Sequence, residues 1–176
     1  METYIALLRG INVGGHKKVP MATLRELLTN SGFENVKTYI QSGNIVLQSS
    51  ENNTKIIENI ISEIIRSHFK FEVPVLVKTK EELAHIFYNC PFKKIEKQKS
   101  YFILLQEIPN KDLVTLALKK EYKAETFKII NNCIYFYSEA GYGKSKFNAN
   151  YFERILKTAA TARNYNTMVK LLSLVK

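Results

Sequence analysis

The fold is decided near the start of the chain, by Thr3-Tyr-Ile-Ala-Leu-Leu-Arg-Gly-Ile-Asn-Val-Gly-Gly-His-Lys-Lys18. Its first six residues have the length and apolar character of a buried strand. The residues after Leu8 form a polar loop that contains three glycines. Pro20 suits the first turn of a helix, and apolar residues then recur at helical spacing up to Gly32. The stretch therefore predicts a strand, a glycine loop and a helix, in that order.

The residues that follow complete a first set of strands and helices. Two short strands, 36–40 and 44–48, are separated by Gln41-Ser-Gly43, which indicates a hairpin. Repeated isoleucines over 53–69 predict an amphipathic helix. Residues 73–78 predict a strand whose early proline is typical of a sheet edge. The order strand, helix, strand, strand, helix, strand is the split βαβ, or ferredoxin-like, pattern.

The same order of elements begins again in the second half of the chain. Thr79-Lys-Glu-Glu82 resembles a capping box, and a basic connector follows Cys90-Pro-Phe92. Later segments predict a strand at 101–106, a helix at 110–120, a hairpin over 124–137 and a helix after Asn148. No final strand is evident, and the chain ends in a helix from about Asn164 to Leu174.

These patterns define the expected architecture. We expect an α+β protein of two ferredoxin-like (split βαβ) subdomains, over residues 1–90 and 91–176. The second subdomain is expected to be degenerate, because its final strand is missing and a C-terminal helix stands in its place.

Composition limits the class of protein. The chain has 176 residues, of which 45% are hydrophobic and 24% charged, as in soluble globular proteins. No window reaches the ~18 apolar residues of a membrane helix, and the N-terminus lacks a secretory signal. Cys90 and Cys133 form no disulfide or zinc pattern. We therefore expect a cytoplasmic protein with no cofactor, no metal and no membrane partner, and a monomer by default.

Basic residues outnumber acidic ones by 26 to 16, which gives a formal charge of +10. The excess is uneven: residues 1–70 hold 8 basic and 6 acidic groups, whereas residues 71–176 hold 18 and 10. Such a charge indicates an anionic partner, for which a nucleic acid and a nucleotide are the candidates. A compositional preference for lysine, with 21 Lys against 5 Arg, is the alternative explanation.

Strand order predicts where an anion would bind. In a ferredoxin-like sheet the first two strands are parallel, so the loop Arg9–Lys18 and the turn Gln41–Asn44 lie at the same edge. Glycine backbone, a helix N-terminus and cations together suit an anion. The alternative is that the glycines serve turn geometry and Arg9 pairs with a carboxylate. The candidate ligand-binding residues are Arg9, Asn12, Gly14, Gly15, Lys17, Lys18, Gln41, Ser42 and Asn44.

A second polar constellation lies near the end of the chain. Thr161-Ala-Arg-Asn-Tyr-Asn-Thr167 contains Arg163, which can contact phosphate in a bidentate manner, and Asn164, a candidate helix cap. Gly141–Lys146 is another glycine loop, and its Lys146 joins the candidate set. Satisfaction of buried backbone groups by Arg163 and its neighbours is the alternative interpretation.

Several of these segments together resemble one known family. They are Leu7–Gly15, Lys18–Met21, Thr38–Val46, Cys90–Phe92, Ser145–Lys146 and Thr161–Thr167. The chain resembles, over essentially its whole length, the bacterial family called domain of unknown function 1697. The resemblance implies a compact α+β protein of two related subdomains, and it implies no established activity.

Three classes of function remain open. The first is binding of a phosphorylated small molecule or a nucleic acid at the two loops. Alternation predicts Tyr101, Tyr135 and Tyr137 on one face of the second sheet, either as a base-stacking surface or as ordinary packing. The second is an enzyme that acts on a small anionic substrate, although no nucleophile–base or metal motif appears. The third is a protein-interaction module.

Overall fold

The structure, a computed structural model, describes residues 1–175. Two compact units are present: unit 1 comprises residues 1–84 together with the chain from Lys170, and unit 2 comprises His85–Val169. Each unit contains a four-stranded antiparallel sheet, so the α+β class is confirmed. The sequence-based division after residue 90 stays a prediction. Among the described residues, no helix is long and apolar enough to cross a membrane.

Unit 1 follows the predicted order of elements. They are β1 (Glu2–Leu8), α1 (Met21–Asn30), β2 (Glu34–Tyr39), β3 (Asn44–Ser49), α2 (Thr54–Phe69) and β4 (Val75–Thr79). The strands are arranged β2-β3-β1-β4. Strand β3 lies between β1 and β2 and is antiparallel to both, as predicted, and β4 occupies an edge, as its proline indicated.

The core of unit 1 lies between one face of the sheet and its helices. Alternate residues of β1 point into this core and are buried, whereas the broad apolar face of α2 packs against the same cluster. Burial of each large apolar side chain contributes about 1.5–3 kcal/mol to stability, so the packing of α2 against one face of the sheet stabilises unit 1. The buried residues from β1 and α2 are Tyr4, Ala6, Leu8, Ile57, Ile61 and Ile65.

A predicted helix start is confirmed where β4 ends. The backbone N–H of Glu82 donates to Thr79 Oγ1 at 3.1 Å, and the N–H of Thr79 donates to Glu82 Oε2 at 2.9 Å. This reciprocal pair is a capping box, and it opens α3 (Lys80–Tyr88).

The remaining elements follow in chain order. They are α4 (Lys94–Gln98), β5 (Tyr101–Leu105), α5 (Lys111–Ala117), β6 (Glu125–Ile130), β7 (Cys133–Ser138), α6 (Ala149–Leu156), β8 (Ala160–Asn164) and α7 (Tyr165–Leu174). The second sheet has the order β6-β7-β5-β8. Its connectivity therefore repeats that of unit 1, strand for strand.

Strand β8 corrects the expectation that the second sheet lacks its final strand. Ala160–Asn164 pairs with β5 in antiparallel fashion, with Ala162 opposite Ile103. The segment Ala-Thr-Ala-Arg-Asn has a single β-branched residue, so pairing with β5 decides its conformation rather than local propensity. Asn164 nevertheless caps α7 as predicted, since its Oδ1 accepts a hydrogen bond from Thr167 N at 2.8 Å.

Strand register also corrects the predicted row of tyrosines. Tyr101 lies opposite Phe136 and Phe102 lies opposite Tyr135. Because directly opposed residues share a sheet face, Tyr101 and Tyr135 lie on different faces. Tyr135 is moreover buried, and its hydroxyl donates to Ile86 O at 2.8 Å. These tyrosines pack in the protein and form no shared surface for stacking bases.

Candidate functional site

The two predicted loops meet at one edge of the sheet of unit 1. Leu7 lies opposite Asn44, so the loop that leaves β1 begins beside the turn that leads into β3. The backbone N–H of Leu8 donates to Gly43 O at 2.8 Å. The strand order thus brings Arg9–Lys18 and Gln41–Asn44 into contact, as the sequence predicted. We call this region the loop edge.

Within the first loop, residues 12–17 form a miniature hairpin. His16 N donates to Val13 O at 3.0 Å, and Asn12 N donates to Lys17 O at 3.2 Å. Gly14 and Gly15 have φ values of +58° and +79°, and a two-residue turn of type I′ requires positive φ at both positions. The two glycines therefore serve turn geometry and lie exposed at the tip of the hairpin.

Asn12 anchors one side of this hairpin. Its Nδ2 donates to Gln41 O at 2.8 Å and to Val19 O at 3.0 Å, while its Oδ1 accepts from Val19 N at 2.9 Å. The residue has φ +55°, a conformation that Asn tolerates better than most residues. Asn12 is therefore a positioning residue, because its side-chain groups are used to join the two loops.

Lys17 anchors the other side. Its ammonium donates to Glu72 O at 2.7 Å, and Arg9 N donates to Pro74 O at 3.1 Å, just before β4 begins. The hairpin is thus fastened both to the turn beside β3 and to the segment beside β4. Hydrogen bonds therefore join the hairpin to the chain on both sides of β1.

Asn44 forms hydrogen bonds that stabilise the turn between β2 and β3. It is fully buried, and its Nδ2 donates to Tyr39 O at 3.1 Å and to Ser42 Oγ at 2.9 Å. These bonds fix the turn between β2 and β3. Ser42 and Gln41 remain exposed on the outer side of that turn.

Exposed polar groups of the loop edge include Lys18, Gln41, Ser42 and the hairpin tip. No described residue accepts a hydrogen bond from the backbone N–H of Gly14 or Gly15. Arg9 is half-buried where β1 ends and brings a second cationic side chain to the same edge. A ligand at this edge would therefore meet backbone donors, hydroxyl and amide groups, and positive charge.

Left-handed backbone at non-glycine residues occurs within the loop edge, at Asn12 and Lys17, and directly before its second segment, at Ile40. Seven non-glycine residues of the described chain have φ in the left-handed region, and Asn12, Lys17 and Ile40 are three of them. Ile40 is β-branched and half exposed, with φ +51°. Such a conformation costs about 1–2 kcal/mol for an ordinary residue, and residues of this kind cluster at functional sites.

The predicted residues of unit 2 are placed differently. The Arg163 guanidinium is buried, and its Nη1 donates to Thr161 Oγ1 and to Ala162 O, each at 2.8 Å. Burial lowers the pKa of Arg163 to about 10. These contacts favour the structural interpretation that the sequence left open. Asn164 serves as the cap of α7.

Lys146 lies on the wall of a cavity of about 460 Å³ within unit 2. We call it the lysine cavity, because its charged lining residues are Lys120, Lys123, Lys144, Lys146, Glu121 and Glu125. Sequence reasoning missed all of these except Lys146. The signal was present as Lys120-Glu-Tyr-Lys123, but only the fold brings that segment to the loop at residues 144–146. Across the described residues, no group of three or more His, Cys, Asp or Glu is arranged to hold a metal ion.

Comparison with known proteins gives family and fold. Residues 1–135 match the family model described as "Protein of unknown function (DUF1697)", a stretch that contains the whole loop edge and ends before Lys144. The structure is similar to that of the conserved bacterial protein SP0830 from Streptococcus pneumoniae, with a TM-score of 0.74 and 30% sequence identity over 99% of each chain. No curated protein matches the chain.

We predict that Asn12→Asp loosens the loop edge. The substitution keeps the acceptor for Val19 N but removes both donors and places a carboxylate against two carbonyl oxygens. Loss of these bonds should lower the free energy of unfolding by about 1–3 kcal/mol in urea denaturation, and amide exchange should accelerate at residues 12–19. Asn131→Asp is the matched control, since Asn131 has φ +51° and is exposed. Equal losses from both substitutions would contradict the anchoring role.

We predict that Gly43→Ala destabilises unit 1 more than Gly10→Ala does. Both glycines have positive φ, at +77° and +68°, so both substitutions carry the same kind of backbone cost. A Cβ at Gly43 would lie 2.5 Å from Leu8 Cβ, whereas a Cβ at Gly10 would meet nothing within 4 Å. The difference in the free energy of unfolding should be about 1–3 kcal/mol, measured by thermal or urea denaturation. A difference near zero would show that the two loops are not in close contact.

Proposed function

Since the chain belongs to the DUF1697 family, whose function is unknown, we propose that it binds a phosphorylated small molecule at the loop edge. The ligand would meet Lys18, Arg9 and the hairpin tip at Gly14 and Gly15. Gln41 and Ser42 would contact it from the neighbouring turn. Asn12, Lys17 and Asn44, which the sequence also selected, would act by positioning these groups.

One observation carries this proposal: the hairpin is fastened on both sides although its backbone is strained. Asn12 joins it to Gln41, and Lys17 joins it to Glu72. A connection between a strand and a helix needs neither the left-handed residues nor these attachments. Holding an exposed turn rigid does lower the entropy cost of binding a ligand there.

The chemistry of the loop edge suits an anion. Exposed backbone N–H groups and an ammonium are the groups that commonly bind phosphate. Helix α1 begins directly after the loop, and Pro20 at its N-cap offers no side-chain acceptor to the first turn. The positive end of the helix dipole therefore adds to the charge of Lys18.

A small ligand suits this edge better than a nucleic acid. Residues 1–84, the main part of unit 1, hold 10 basic against 9 acidic groups, so this part has little charge to follow a phosphate backbone. Polyanion binding depends on several phosphate contacts at once. Of the tyrosines that would stack bases in unit 2, Tyr101 lies on the opposite face of the sheet from Tyr135, which is buried.

We also propose that both sheets belong to the ferredoxin-like class. The orders β2-β3-β1-β4 and β6-β7-β5-β8, with a helix before and after each hairpin, support this assignment. It accounts for the position of the loop edge, because this class places the carboxyl ends of the first two strands side by side.

We predict that Lys18→Gln weakens phosphate binding by about tenfold, which corresponds to loss of one charge-assisted hydrogen bond. Binding of inorganic phosphate and pyrophosphate would be followed by the ¹⁵N–¹H shifts of Gly14, Gly15 and Lys18. Lys37→Gln, an equal charge change at an exposed position of β2, is the control and should leave binding unchanged.

Two results would contradict the proposal. The first is that neither phosphate nor pyrophosphate shifts the loop amides at millimolar concentration. The second is that the two lysine substitutions weaken binding equally. The same titration is repeated with a short single-stranded RNA. If the RNA binds more tightly than pyrophosphate and its affinity falls steeply with salt, the ligand of the loop edge is a nucleic acid instead.

A further inference from the structure

Strand β6 forms one edge of the sheet of unit 2, because the strand order is β6-β7-β5-β8. Alternate residues of an edge strand direct their backbone N–H and C=O groups away from the sheet. Ile130 and Cys133 lie opposite each other and are joined by two residues, so they form a hydrogen-bonded pair. Because such pairs alternate along a hairpin, the backbone groups of Phe127 and Ile129 point outward.

These outward groups are available for a further strand. Within the described residues, Phe127 and Ile129 form no backbone hydrogen bond outside the ladder with β7, and no side chain bonds to their N–H or C=O groups. The ladder is regular from Glu125 to Ile130, with one partner for each residue and no bulge. The edge is therefore open along the whole strand.

The other edge strands each carry a feature that limits further pairing. In β2 the register against β3 shifts, and such an irregularity bends an edge away from additional strands. In β4 the N–H of Val77 donates to the Glu58 carboxylate at 3.0 Å. In β8 the N–H of Ala160 donates to the Glu153 carboxylate at 2.8 Å. Strand β6 has neither feature within the part of the chain that the structure describes.

An apolar cavity lies beside the end of β6. It has a volume of about 340 Å³, and its lining includes Ile108, Pro109, Val114 and Ile129, with Lys111 beside them. Ile108 is 69% exposed although it is a large apolar residue. Since Ile129 belongs to the strand itself, a chain paired with β6 would lie next to this cavity. We call it the apolar groove, and it suits one apolar side chain of such a chain.

Positive charge lies at the start of the same strand. Glu125, the first residue of β6, lines the lysine cavity, in which four lysines stand against two glutamates. Lys128 is exposed further along the strand. Among the described residues, none of these lysines forms an ion pair with a carboxylate. Lys120 Nζ lies instead 5.6 Å from the ring centroid of Tyr122, within reach of a cation–π contact. The charge along this edge therefore favours an acidic chain.

The charge of unit 2 also distinguishes between possible occupants of the edge. His85–Val169 hold 14 basic and 7 acidic groups, a formal charge of +7. A second copy would bring the same positive charge to the edge, and like charges oppose that pairing. A nucleic acid would neutralise the lysines but has no alternating N–H and C=O groups for the strand. An extended acidic segment of another protein offers both.

We propose that β6 binds an extended acidic segment of a partner protein, which adds to the sheet as a further antiparallel strand. In this mode of recognition, main-chain hydrogen bonds give affinity and pockets for side chains give specificity. The N–H and C=O groups of Phe127 and Ile129 form the hydrogen bonds. An antiparallel segment runs from the apolar groove towards the lysine cavity, so its apolar residue precedes its acidic residues.

The experiment uses the full-length protein and a fluorescein-labelled peptide, Leu-Thr-Val-Thr-Val-Asp-Glu-Glu, with both ends blocked. Fluorescence anisotropy measures the affinity, and amide hydrogen exchange identifies the paired strand. The N–H groups of Phe127 and Ile129 should exchange about tenfold more slowly when the peptide is bound. The N–H of Lys128, which already faces Tyr135 in the ladder, should change little.

Backbone methylation gives a matched control within the peptide. Alternate N–H groups of an added strand face β6, whereas the others face solvent. N-methylation of one alternate set of residues should abolish binding, and N-methylation of the other set should leave the affinity within about twofold. Equal effects of the two methylated peptides would contradict the strand pairing.

Substitutions test the two ends of the edge. Ile108→Ser should weaken binding about fivefold, whereas Ile95→Ser, at a residue of nearly equal exposure outside the groove, should not. Lys123→Gln combined with Lys146→Gln should weaken binding about fivefold and reduce its salt dependence. Lys157→Gln is the control for charge, since Lys157 lies between α6 and β8, at the opposite edge of the sheet.

Lys18→Gln should leave peptide binding unchanged, so failure at the loop edge and failure here are distinguishable. The proposal is overturned if the peptide does not bind at millimolar concentration, or if it binds without protecting Phe127 and Ile129. It is also overturned if sedimentation shows a dimer in which the same two N–H groups are protected, because the occupant is then a second copy. Binding of a single-stranded RNA at this edge more tightly than the peptide would overturn it as well.

Discussion

The pairing of β1 on both sides is the constraint on which unit 1 depends. Its neighbours β3 and β4 are each antiparallel to it, so both of its edges are committed. The loop after Leu8 must therefore leave the sheet between the start of β3 and the start of β4. That exit explains why the hairpin at residues 12–17 finds Gln41 on one side and Glu72 on the other. The site follows from the place of one strand in the sheet.

Local sequence signals foretold most elements because each had its own chemistry. The isoleucine spacing predicts α2, and the helices expected from Asn110 and after Asn148 begin where those two side chains accept hydrogen bonds from backbone N–H groups. Strand β8 was not predicted, because its residues have weak strand propensity and only the pairing with β5 holds them extended. The prediction that Tyr101 shares a sheet face with Tyr135 was wrong for a related reason. Alternation gives the period of each strand but not its register against a neighbouring strand.

The candidate site, like the fold, was predictable from the sequence only in part. The meeting of the two loops followed from strand order, whereas the tasks of individual side chains did not. Nothing in the sequence distinguishes Lys17, whose ammonium donates to Glu72 O, from its neighbour Lys18, for which the described residues provide no such acceptor. The lysine cavity depends on residues some twenty positions apart, brought together by the β6–β7 hairpin. Such sets emerge only when the fold is known.

The division of the chain has a consequence for the order in which the protein assembles during synthesis. Unit 1 includes residues 1–84 and also the chain from Lys170, so unit 2 is an insertion within it. Domains generally fold as units as they emerge from the ribosome. The strands and helices of unit 2 are complete before the last segment of unit 1 has been made. The part of the chain that is translated first is therefore the part that is finished last.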